Sequence, residues 1–169
     1  MRRLFCILSV LLSAVFAGAQ TRSYTDNATG TFIVGLENYF FGESGALKFQ
    51  ADGHEIQATV SSGVVSVGGT VLSQGSGETV IGTHDFTGDR VPELVVARRS
   101  AAGVGAEVYT LSGGSWKQIG RIGTAGATEI RVFRQVLSIR RGDALCSWTW
   151  HDNKFDYKAS DGSSEPSLP

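Results

Sequence analysis

From Thr31 to Ala159 the sequence sustains no helical period. Its apolar residues come in short runs rich in Val, Ile, Phe, Tyr and Thr, cut apart by Gly, Asp, Asn and Ser. Such runs fit a pleated, half-buried strand surface, and the breakers between them supply the backbone conformations that tight turns need. The spacing predicts strands over Thr31–Leu36, Ala46–Ala51, Glu55–Ser61, Val64–Ser73, Thr79–Phe86 and Glu93–Arg99. It predicts further strands over Ala106–Ser112, Trp116–Ile122, Glu129–Gln135, Val136–Arg141, Ala144–His151 and Lys154–Ala159. Turn dipeptides join many of them: Asp52-Gly53, Ser62-Gly63, Gly113-Gly114, Gly142-Asp143 and Asp152-Asn153. Consecutive hairpins of this kind make an all-β antiparallel meander rather than βαβ units. Tyr39-Phe40-Phe41 reads as a strand that ends in a turn at Gly42, because Gly42 and Gly45 weaken a helix there.

The N-terminus has a different character. Arg2 and Arg3 precede an apolar run from Leu4 to Phe16, and Ala17-Gly18-Ala19 offers small residues for cleavage. That is the layout of a secretory signal peptide, and the run is shorter than the roughly 20 residues that span a bilayer. A mature chain beginning near Gln20 is expected, exported to the periplasm or the extracellular space, with no later membrane span. No cysteine follows the small residues, which argues against a lipoprotein. Residues 20–159 are expected to form a single domain, and residues 160–169, polar and proline-containing, a disordered tail.

Removing Arg2 and Arg3 leaves 13 basic residues against 16 acidic ones, a formal charge of −3. Nucleic-acid binders usually carry a basic footprint, so none is expected as partner. The dipeptides Arg98-Arg99 and Arg140-Arg141 make no patch, since strand alternation sends their side chains to opposite faces. Cys6 leaves with the signal peptide, so Cys146 has no disulfide partner and reads as a small buried apolar residue. Along Ala144–Lys158, Cys146, Trp148 and Trp150 share a face that Phe155 and Tyr157 continue. That stripe is either core or a stacking platform for sugars, and packing alone enriches aromatics in strands.

The sharpest chemical signal is Thr83–Arg99, "THDFTGDRVPELVVARR". Asp85, Thr87, Asp89 and Glu93 stand at loop positions one, three, five and nine, with the Val91 carbonyl at seven. A hard cation such as calcium takes about six to eight oxygens, which alternate side chains and a backbone carbonyl can supply. The competing reading is a polar turn in which Asp85 and Asp89 satisfy backbone amides.

Asp85–Val96, "DFTGDRVPELVV", resembles the calcium-loop repeat of the FG-GAP and VCBS families, an acidic loop running into an apolar strand. More loosely, the chain is similar to small exported β proteins of the lysozyme-inhibitor and immunity type. The first resemblance implies a loop between blade-like strands, with calcium on Asp85, Thr87, Asp89, Val91 and Glu93. Three positions depart from the family pattern: Thr87 for Asn or Asp, Arg90 for Gly, and Glu93 for Asp. Arg90 is the serious one, because a left-handed backbone costs a residue with a Cβ about 1–2 kcal/mol. Only one copy is present, so a blade-like stack or incomplete propeller is expected rather than a closed one.

No HExxH, G-x-S-x-G, P-loop or Cys-His zinc pattern occurs, and His54, His84 and His151 lie far apart in sequence. Asn27-Ala28-Thr29 matches a glycosylation sequon, a motif short enough to arise by chance. The expected activity is therefore binding, not catalysis. The resemblance implies a glycan or an envelope protein as partner, with a stoichiometric inhibitor of a lytic enzyme as the alternative.

Overall fold

The computed structural model describes residues 31–169, so the expected signal peptide, like the Asn27 sequon, lies outside the described residues. The described chain is all-β and predominantly antiparallel, as its turn spacing predicts. Strands β1 (Ile33–Val34) and β2 (Asn38–Phe41) lead into β3 (Ser44–Ala51), β4 (His54–Ser61), β5 (Val64–Val67) and β6 (Thr70–Gln74). Next come β7 (Glu78–His84), β8 (Glu93–Ser100), β9 (Gly103–Ser112) and β10 (Ser115–Ala125). The last set is β11 (Ile130–Phe133), β12 (Val136–Arg141), β13 (Ala144–His151) and β14 (Lys154–Ala159).

Three successive four-strand meanders result: β3-β4-β5-β6, β7-β8-β9-β10 and β11-β12-β13-β14. The entering chain adds a fifth strand to two of them. β2 pairs antiparallel with β7, whereas β1 runs parallel to β11, an exception to the antiparallel rule. The N-terminal stretch thereby ties the second and third sheets together.

Burial shows why the sheets are layered. Val80, Val95, Ala97 and Val108 of the β7–β10 sheet pack with Ile130, Leu137, Ile139 and Trp148 of the β11–β14 sheet. Their strand neighbours Ile81, Leu94, Val96 and Tyr109 pack the other way, with Leu47, Ala58, Val60 and Val65 of the β3–β6 sheet. The middle sheet is thus covered on both faces, and such strands read as continuous apolar runs. "TVIGTH" and "ELVVA" are those runs, buried at every position from Thr79 to His84 and from Glu93 to Ala97.

Two expected strands differ. Thr31–Leu36 shortens to Ile33–Val34, and Val64–Ser73 divides into β5 and β6. Gly68 and Gly69, with φ of 56° and 82°, make a two-residue hairpin turn in the middle of that run. The aromatic stripe is core: Cys146 and Trp148 are buried, and Trp150, Phe155 and Tyr157 pack against them.

The arginine pair divides as alternation requires. Arg98 reaches toward Ser73 and Gly63, while Arg99 pairs with Glu78 and lies 5.0 Å over the Phe32 ring. Residues 160–169, expected to be disordered, carry no strand but are tied at several points. Arg141 Nη2 donates to Ser163 Oγ at 2.6 Å, and Trp148 Nε1 donates to Glu165 Oε1 at 2.6 Å. Among the described residues no helix is long and apolar enough to cross a membrane.

Candidate calcium loop and its neighbouring hairpin

The acidic loop spans residues 85–92, between β7 and β8 of the doubly covered sheet. Its first carboxylate folds the turn. Asp85 Oδ1 accepts from the Gly88 amide at 2.7 Å and Oδ2 from the Arg90 amide at 3.0 Å. Asp89 Oδ1 accepts from the Val91 amide at 2.8 Å. Arg90 adopts φ 70°, the left-handed conformation that its place in the resemblance demands, despite its Cβ. The loop carries at Arg90 the strain that the sequence anticipates.

Glu93 lies beneath this turn, with none of its surface exposed. Its Oε2 accepts from the Phe86 amide at 2.8 Å and the Thr87 amide at 3.3 Å. Its Oε1 accepts from the hydroxyls of Thr87 at 3.3 Å and Thr110 at 3.2 Å. Burial pushes the Glu93 carboxyl up from its ordinary value, the two amides oppose that shift, and the charge of Asp89 adds to it. Thr110 is a partner no sequence signal marks, since it comes from β9, across the sheet. Glu37 is another: its Oε1 accepts from the Asp85 amide at 3.4 Å.

As placed, the acids do not form a cage. Among the described residues no three His, Cys, Asp or Glu side chains stand together as a metal-binding group. The donor chemistry nevertheless fits calcium. Asp85, Thr87, Asp89, the Val91 carbonyl and Glu93 offer only hard oxygens. Each Asp oxygen is bonded to at most one amide and retains a second lone pair, whereas both Glu93 oxygens already accept two donors and would have to release one to reach an ion. The four hydrogen-bond donors to Glu93 are all neutral, and a cation would relieve both its burial and its repulsion from Asp89.

Beside the loop stands the β11–β12 hairpin, whose turn is Arg134-Gln135. A Cβ built on Gly88 would lie 3.5 Å from Gln135 Nε2, so the hairpin turn reaches the loop. Buried His84 places Nε2 2.6 Å from the Arg134 carbonyl. A carbonyl only accepts, so Nε2 carries the proton. The Trp150 amide donates to the Gln135 carbonyl at 2.8 Å. Both turn residues are therefore pinned from below. Phe86, the loop's buried anchor, meets His84 edge-on at 4.6 Å and Phe155 at 5.5 Å. In the same hairpin Phe133, on the outer face of β11, is 54% exposed, with the Arg134 guanidinium 5.2 Å from its ring centre.

No family model matches the chain, and neither a curated protein nor a solved structure matches it. The likeness to the calcium-loop repeat thus rests on the loop residues themselves.

Proposed function

We propose that the chain is an exported, non-catalytic binding protein that meets an envelope protein through its β11–β12 hairpin turn, beside a loop that calcium stiffens. The observation that carries this reading is the pinned turn: an exposed Phe133 beside Arg134, whose carbonyl is held by buried His84. Aromatic and arginine residues on a rigid support are the residues that dominate protein interfaces. A protein suits this surface better than a glycan. Arg134 stands over the Phe133 ring where a sugar would stack, and the aromatic stripe of β13–β14 is spent on the core.

Calcium would be held by Asp85, Thr87, Asp89, the Val91 carbonyl and Glu93. It would supply positive charge at the loop and stiffen it beside the hairpin. A photocrosslinking residue at position 133 tests the interface, with the exposed Val71 position as control. Added to an envelope fraction, the position-133 protein should give a discrete protein adduct that Arg134→Glu abolishes. Equal adducts from both positions, or sedimentation with purified glycan alone, would overturn the reading. An adduct with a muramidase, together with loss of its activity at stoichiometric ratio, would make the partner a lytic enzyme and the protein its inhibitor.

A further inference from the structure

A second polar feature lies on the opposite side of the middle sheet. Strands β8, β9 and β10 set Arg98, Gly105 and Gly123 in one row, with Val96, Glu107 and Arg121 in a neighbouring row. Gly105, with Gly103, leaves bare peptide on the floor of a cavity of about 360 Å³ between this sheet and the end of β6. Its walls include Arg98, Glu107, Arg121 and Gly75, and Leu168 and Pro169 complete them. A Cβ on Gly123 would lie 3.1 Å from Pro169 Cδ, so the C-terminal segment rests directly on the glycine floor.

The wall is charged and only partly balanced. Arg98 Nη1 donates to Ser73 Oγ at 2.6 Å and Nη2 to the Gly63 carbonyl at 2.9 Å. Glu107 Oε2 takes the hydroxyls of Ser73 and Tyr109 and lies 3.5 Å from Arg98 Nη1. Its Oε1 faces Arg121 Nε at a loose 3.7 Å, and Arg121 is largely exposed. Two guanidiniums thus share one carboxylate. Arg98 Nε is buried with no hydrogen-bond partner. Gly75 adjoins it, where a Cβ would come within 2.9 Å of that nitrogen. A cationic wall and a glycine floor already covered by Leu168–Pro169 describe a receptor for a short apolar peptide bearing a carboxylate.

We propose that this cavity binds such a peptide carboxylate, with Arg98 and Arg121 as its cationic pole and Leu168–Pro169 as its displaceable cover. The proposal is independent of the hairpin interface. Calorimetry with N-acetyl-Leu-Pro as probe tests it on the full chain and on the full-length Leu168→Ser variant, which loosens the cover. Saturable one-to-one binding should appear, tighter in Leu168→Ser by about tenfold. It should weaken by at least about tenfold in Arg121→Gln or when the probe's carboxylate is amidated. Equal binding of acid and amide, or no binding by Leu168→Ser with its melting transition intact, would overturn it.

Discussion

Glu93 concentrates the physics of the loop in one side chain. Its carboxylate is the acceptor for the Phe86 and Thr87 amides, so Glu93→Ala leaves buried donors unsatisfied. Denaturant unfolding should show a loss of about 2–4 kcal/mol. Arg90, held at φ 70°, predicts the opposite sign. Arg90→Gly removes the Cβ strain but gains unfolded-state freedom, so it should stabilise the protein by up to about 1 kcal/mol in the same measurement. Tyr109 gives a pH signature. Burial, followed by the charge of Glu107, pushes its phenol up to about 12 from an ordinary value of 10.0. The raised value means that the fold prefers the protonated phenol. Its contribution is complete below the unfolded value and is lost as pH climbs through the folded one. Ultraviolet titration should therefore contain a component ionising near 12, absent in Tyr109→Phe, with stability falling through that alkaline window.

Among the elements, the C-terminal segment makes the most exposed prediction. Trp148 is almost wholly buried, and its indole N–H is satisfied by Glu165. Glu165→Ala should cost about 1–3 kcal/mol and alter tryptophan fluorescence, whereas a dangling tail would leave both unchanged. This contact marks a limit of sequence reading. The β13–β14 hairpin is legible to the residue because its alternation and its Asp152-Asn153 turn agree, and both turn residues adopt positive φ. Gly68-Gly69 carries a similar signal, but the apolar run around it hides the turn. The bond from Trp148 to Glu165 has no local pattern, since a polar tail reads alike whether it is bound or free. The same holds for Thr110 beneath Glu93 and for the Arg98 cavity, both made by strand register rather than by spacing.

At the scale of the whole molecule, three meanders stack so that strands β7 and β8 of the middle sheet are buried on both faces over most of their length. The acidic loop leaves that sheet, with Phe86 sunk into the core and Glu93 beneath the turn, so order at the loop is coupled to order in the stack. The turn at Asp85–Glu93 between two strands was legible in the sequence; the burial of Glu93 and the hairpin held beside the loop were not. Calcium calorimetry on metal-stripped mature protein, with Asp89→Ala as control and melting curves in calcium or chelator, tests this account most directly. Saturable one-to-one binding, lost in Asp89→Ala and accompanied by a higher melting temperature, is the predicted result. No heat of binding and an unchanged melting curve would contradict it, leaving residues 85–92 as a turn closed only on its own amides.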